Sequence, residues 1–208
     1  QISQFDYLVG DACSHAWFLR AVLGGNTFYG RVGCTQHGGR DNPFTDVVYI
    51  DKMVDHHFET GAEYTRTNHL PLGVTAEVMD RNMMIKLHNL MPDPNQSEYM
   101  SFFSFNPSIF HCEVLYPEPN LDRPYYSLTV DYPKDIQLAR MLYEKTSVGK
   151  IIPSLFDVIN TLDNDPTYSS VDENTPIKKP GGETITYKEL IDELDELARV
   201  AKKLSSKN

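Results

Sequence analysis

Cysteine is scarce in this 208-residue chain: Cys13, Cys34 and Cys112 are an odd number without framework spacing. That excludes a disulfide-stapled scaffold and points to a reduced, cytoplasmic protein. A zinc set could be drawn from Cys13 with His15, Cys34 with His37, and His111 with Cys112. Those pairs lack the spacing of a zinc finger or ribbon, and small buried hydrophobes are the simpler account. No apolar run reaches 18 residues, so no membrane-spanning helix is expected. No basic-then-apolar leader follows Gln1, so no signal peptide is expected either. The missing initiator methionine suggests processing, or a segment of a longer reading frame. Basic residues are also in deficit, 19 against 29 acidic for a net charge of −10, which argues against nucleic acid or an anionic membrane as partner. Gly38-Gly39 is followed by neither lysine nor a helical pattern, so it is a weak phosphate-loop signal.

What remains is ordinary globular material, 40% apolar and 11% aromatic, enough for one α/β domain with a sizeable core. The pattern predicts a short helix over 14–23 stopped by Gly24-Gly25, then a strand over 27–34. A helix from Asp46 follows, with Val47, Ile50, Met53, Val54, His57 and Phe58 on one face and Gly61 as its stop. Strands are expected over 62–67, 73–79, 109–116 and 125–130. Helices are expected from Asp80 to Leu90, over 96–105, from Pro133, and over 154–162. The α/β domain is thus drawn over 1–163, a proline- and glycine-rich linker over 164–183, and an amphipathic helix over 184–208. Thr186-Tyr-Lys-Glu189 is a capping box, and Tyr187, Leu190, Leu194, Leu197, Ala201 and Leu204 form a heptad seam. It is too short to stand alone, so it either docks on the parent domain or pairs with a second subunit.

Two acidic segments carry the chemistry: Arg40-Asp-Asn-Pro-Phe-Thr-Asp46 and Leu128-Thr-Val-Asp-Tyr-Pro-Lys-Asp135. In each, an aspartate ends an apolar or glycine-rich run, a proline follows two residues later, and a helical pattern begins. That mounts a carboxylate at the carboxyl end of a strand, where open α/β sheets bind ligands. Asp41 and Asp131 could converge on one hard cation, Mg²⁺ with phosphate oxygens being the usual occupant. Asp-x-Pro is also helix-entry chemistry, with the aspartate as cap.

From about residue 30 to residue 166 the chain resembles a family. Asp41-Asn-Pro-Phe-Thr-Asp46, Thr60-Gly-Ala-Glu-Tyr64, Leu72-Gly-Val-Thr-Ala-Glu-Val78, Glu98-Tyr-Met100 and Ser127-Leu-Thr-Val-Asp-Tyr-Pro-Lys-Asp-Ile-Gln-Leu138 are similar, in order and separation, to cytidylyltransferases. These are the enzymes related to spore-coat polysaccharide synthesis and to the activation of acylneuraminate and 3-deoxy-manno-octulosonate. The resemblance implies a three-layer α/β sandwich of the nucleotide-diphospho-sugar transferase type, with a mainly parallel sheet. It implies transfer of CMP from CTP to a sugar, Asp41 and Asp131 holding Mg²⁺ over the triphosphate, and Asn42 and Glu77 as sugar contacts. It also implies a homodimer formed through residues 95–125. That stretch carries Tyr99, Phe102, Phe103, Phe105, Phe110 and Tyr116, which could equally be plain core.

The chain departs from the family before Asp41. The glycine-, arginine- and lysine-bearing loop that cradles CTP has no counterpart there, Arg40 stands where glycine is usual, and Gln36-His-Gly-Gly39 looks like extra loop. Without those groups the carboxylates face an anionic nucleotide with little to balance it. Three readings stay open: the carboxyl-terminal portion of a working cytidylyltransferase, truncated at its amino end; a shortened, non-catalytic sugar-binding or assembly module; and an unrelated α/β protein.

Overall fold

The computed structural model describes residues 5–7, 17–23, 26–32, 42–74, 76–91, 100–147, 153–165 and 170–206. Six strands form one sheet in the order β1-β2-β3-β5-β4-β6. These are β1 (Phe5–Tyr7), β2 (Trp17–Leu23), β3 (Asn26–Val32), β4 (Tyr64–Thr67), β5 (Ala76–Asp80) and β6 (Cys112–Leu115). The protein is a mixed α/β fold, but the expectation of a mainly parallel sheet is corrected: among the described strands, only β4 and β6 pair in parallel. The cause is connection length. Parallel neighbours need a crossover of about a dozen residues or more, whereas eight residues join β4 to β5 and two join β2 to β3.

Of the helix expected over 14–23, residues 17–23 form a strand, and 14–16 lie outside the described residues. Trp17, Phe18 and Val22 suit a pleated surface, and β2 pairs with β3 in a register that sets Leu23 opposite Asn26. A short apolar run before Gly-Gly reads as either element by periodicity alone. The strand expected over 125–130 is absent. In its place two isolated bridges tie Leu72 to Ser127 and Tyr126 to Ser170.

Helices cover both faces of the central strands. α1 (Val47–Thr60) is capped by Asp46, whose Oδ1 accepts from the amides of Val48 (2.8 Å) and Tyr49 (3.2 Å). It stops at Gly61, in the left-handed region at φ +64°. Its Met53 and Val54 pack on Val78, and the His57 ring lies 2.8 Å from the Thr65 hydroxyl. The opposite face carries Tyr64 and Met79 against α2 (Arg81–Leu90), α3 (Met100–Ser104) and α6 (Tyr187–Ser205). Ala198 and Ala201 are buried there, so the heptad seam docks on its own domain. Small side chains at those positions let α6 lie close to β6. Phe105 and Phe110 are buried in the same core, and Phe103 packs against it.

A second core joins α4 (Pro133–Thr146) and α5 (Leu155–Asp163), through Leu142, Leu155, Val158, Ile159 and Leu162, to Phe44, Tyr49, Leu70, Val74 and Leu128. Residues 176–186 hold a small hairpin of β7 (Pro176–Lys178) and β8 (Thr184–Thr186) leading into α6. The capping box there is formed, with Thr186 and Glu189 exchanging bonds.

Candidate functional site

The site is assembled by a turn that sequence reasoning passed over. After β4 the chain folds back at Leu72, whose amide donates to the Tyr126 carbonyl and whose carbonyl accepts from the Leu128 amide, both at 2.8 Å. Gly73 follows at φ +86°, a region glycine enters without steric cost. A Cβ there would lie 2.9 Å from the Thr129 nitrogen, 3.0 Å from the Leu128 carbonyl carbon and 3.1 Å from Asn42 Oδ1. Three loops distant in sequence, at 42, at 73 and at 128–129, therefore meet at one point.

Asn42 is half-buried, and its Oδ1 is shielded from solvent without a hydrogen-bond partner. Its carbonyl closes the turn by accepting from the Thr45 amide (3.2 Å) and hydroxyl (3.0 Å). Asp41, bonded to Asn42, lies outside the described residues. Asp131 is exposed, two residues beyond Thr129. The helix-cap alternative does not hold for Asp131. Asp46 caps α1, and at α4 the Asp135 carboxylate accepts from the amides of Asp131 (3.1 Å) and Tyr132 (2.8 Å). Among the described residues the Asp131 carboxylate is engaged by nothing, which leaves it free for a ligand.

Glu77 sits apart from this junction, on β5, and is buried. Its Oε1 accepts from the Tyr64 hydroxyl at 2.7 Å, while Oε2 is shielded and unpartnered. Burial, and then the adjacent Glu77 charge, hold Tyr64 well above the ordinary phenol range, so it remains a donor. The structure thus brings Asn42 beside the segment leading to Asp131, and places Glu77 four residues beyond Gly73.

The unpartnered Asn42 Oδ1 and the carboxylate of Asp131, two residues beyond Thr129, offer oxygen donors, which suit a hard divalent cation. Among the described residues no group of three or more His, Cys, Asp or Glu is arranged to hold a metal. Magnesium, bound through one or two carboxylates plus phosphate oxygens, does not need one. Of the zinc candidates, Cys13, His15, Cys34 and His37 lie outside the described residues. Cys112 is buried, and its thiol is pushed up to about 12 by that burial.

A polar node at the end of β4 was also missed. His69 takes a left-handed φ of +65° and sets its ring between Asp195 of α6 (2.9 Å) and Asp122 (3.3 Å). Burial opposes its charge, but those two carboxylates win and raise its pKa. Asn68 beside it donates from Nδ2 to the Leu194 carbonyl (3.3 Å) and to Asp195 (3.1 Å), fastening α6. The one signal in the sequence is Asn-His between a strand and a proline, since both residues are enriched at positive φ.

The chain has known relatives. The chain is 28% identical over 128 residues to the spore coat polysaccharide biosynthesis protein SpsF of Bacillus subtilis (strain 168), covering 61% of this chain and 53% of that protein. It is 27% identical over 135 residues to an uncharacterized protein of Methanocaldococcus jannaschii, covering 64% and 55%. The chain spans about half the length of the curated relatives it matches. No protein-family model matches it. Its fold is similar to a solved cytidylyltransferase from Leptospira borgpetersenii serovar Hardjo-bovis, with a TM-score of 0.51 and 19% identity over 64% of this chain and 56% of that one. The fold shared with that enzyme is a mixed α/β fold. Within that class the chain resembles the cytidylyltransferase family. No helix among the described residues is long and apolar enough to cross a membrane.

Proposed function

We propose that this chain carries the carboxylate side of a cytidylyltransferase site, in the three-layer sandwich of the nucleotide-diphospho-sugar transferases, and serves polysaccharide synthesis by transferring CMP from CTP to a sugar. The observation that supports this best is the junction of Asn42, Gly73 and Leu128–Thr129, since Asn42 follows Asp41 in the sequence and Thr129 stands two residues before Asp131. In this reading Asp41 and Asp131 hold Mg²⁺, and Asn42 and Glu77 contact the sugar. Bound there, the metal would neutralise charge on the triphosphate. The chain's own contribution is positional: the Leu72 bridge and Gly73 fix the two loops, and Asp135 orients the turn at Asp131 by holding its amide. CTP as substrate places the protein in the cytoplasm. A homodimer through residues 95–125 belongs to the same proposal, with Ile109 and Tyr116, each about half exposed, as the apolar surface offered.

The alternative, a non-catalytic sugar-binding or assembly module, is favoured by the acidity of the chain, 29 acidic against 19 basic residues. Calorimetry with CTP and Mg²⁺ separates the two. A competent site binds the pair together, and Asp131→Asn weakens it about tenfold or more, as expected for a charge-assisted contact. Sugar binding without any heat from CTP and Mg²⁺ would establish the module instead.

A further inference from the structure

Among the described residues, His69 is the one non-glycine residue in the left-handed region, at φ +65°. That conformation is costly for a residue with a Cβ and persists where its surroundings impose it. Three elements do so here. Asp195 of α6 lies 2.9 Å from Nε2, Asp122 lies 3.3 Å from Nδ1, and the Tyr116 ring meets the imidazole edge to face at 5.2 Å. The His69 backbone is held as well, its carbonyl accepting from the Arg123 amide at 2.9 Å. Two buried residues, Leu70 and Pro71, then lead to Leu72, which bonds Tyr126 and Leu128, and to Gly73. Residues 69–72 are thus tied to residues 123–128 at both ends. The second strip is itself anchored, since Asp163 of α5 takes the Arg123 guanidinium (2.9 and 2.7 Å) and the Tyr126 hydroxyl (2.9 Å).

We propose that His69 is a positioning residue for the junction: held between Asp195 and Asp122, it fixes the turn from Leu70 to Gly73, so that the docking of α6 controls how closely the loops at 42 and 128–129 meet. This rests on the proposed function, which assigns the metal to those loops, and gives its control to a helix beyond the stretch of family resemblance. Charged imidazole donates from both ring nitrogens and so answers both carboxylates, whereas neutral imidazole has one hydrogen and releases one of them. The other groups around the ring do not take over that part. Tyr116, its hydroxyl on Asp195 at 3.2 Å, is raised above the ordinary phenol range by burial and by the Asp195 charge, so it stays neutral. Arg123 is paired with Asp163, and Arg199, one turn beyond Asp195, with Glu196. Asn68 spends its Nδ2 on Leu194 and Asp195.

The test is hydrogen exchange of the Leu72 and Leu128 amides, the two donors of the bridge, read by NMR on the full chain without metal. Their protection, corrected for the intrinsic exchange rate, is expected to fall about threefold or more between pH 6 and pH 9, as the partly exposed ion pairs are lost. His69→Gly keeps the left-handed backbone but removes the ring, and is expected to abolish that fall. Asp195→Asn leaves an acceptor without the charge, and is expected to reduce it. A merely structural His69 would instead lower protection by the same factor at both pH values when replaced. Equal protection at pH 6 and pH 9 in the wild-type chain, or an undiminished fall in the variants, overturns the inference. If His69→Gly fails to fold, Asp195→Asn decides. Binding of Mn²⁺ with CTP to the wild-type chain is measured separately and reports on the proposed function, so its failure is not mistaken for failure of the bridge.

Discussion

Replacing Gly73 by alanine would set a methyl group 2.9 Å from the Thr129 nitrogen, 3.0 Å from the Leu128 carbonyl carbon and 3.1 Å from Asn42 Oδ1. Two of those neighbours are backbone, held by the Leu72 bridge, and cannot swing aside. The left-handed conformation adds about 1–2 kcal/mol for any residue bearing a Cβ. Overpacking against fixed atoms adds about 1–3 kcal/mol more. Gly73→Ala should therefore destabilise the protein by about 2–5 kcal/mol. Gly61 supplies the control, because it too has positive φ, at +64°, yet nothing lies within 4 Å of its missing Cβ. Gly61→Ala should show the conformational part alone, about 1–2 kcal/mol. Urea unfolding of the two variants, followed by circular dichroism with matched m-values, measures the difference. Equal losses would mean that the loops at 42 and 128–129 do not crowd Gly73, and the junction argument would fail.

Elements whose pattern was set by local chemistry were legible before any coordinates. The helix start at Asp46 and the Gly61 stop bracket α1 as read, and Thr186 with Glu189 starts α6 as read. The faces were less legible than the boundaries. Val47 was read onto the apolar face of α1 and is 61% exposed, because the stripe a helix buries depends on what lies opposite. Strand direction was not legible at all, since a run such as Tyr64–Thr67 has the same periodicity in either orientation. The helix expected over 14–23 failed for a related reason, a seven-residue apolar stretch being too short for period 3.6 to exclude period 2. Asn42 and Asp131 were named as candidates from motif order. Asn68, His69 and Asp195 were not, because their meeting depends on where α6 docks.

The His69 node stabilises the attachment of α6 most when the imidazole is charged. Its raised pKa means that this contribution is fully present below the unfolded value of about 6.5 and is lost as pH rises through the higher folded value. Asp195→Asn should therefore loosen α6, read by hydrogen exchange, more at pH 6 than at pH 9; a pH-independent effect would contradict the ion-pair account. His57 works in the opposite sense, since burial, with lesser repulsion from His111 and His56, lowers it to about 4. As pH falls from about 6.5 towards 4 the unfolded chain gains a proton that the folded chain refuses, at a cost of roughly 3 kcal/mol. Acid unfolding monitored by fluorescence should shift to lower pH in His57→Gln, and an unchanged midpoint would refute the assignment. Cys112, buried with its thiol pushed up to about 12, should resist alkylation at pH 8 until the protein unfolds. Peptide mapping after iodoacetamide treatment tests this, and modification of the native protein at the rate of a free thiol would overturn it.

The most direct test of the shared site uses Mn²⁺ in place of Mg²⁺, with CTP present, and reads paramagnetic broadening of backbone amide signals by NMR. One ion held between the two loops should broaden the amides of residues 42–46 and 128–132 together, at the same Mn²⁺ concentration, and Asp131→Asn should weaken both effects. Broadening confined to one loop, or spread over the acidic surface without preference for either, would contradict the account.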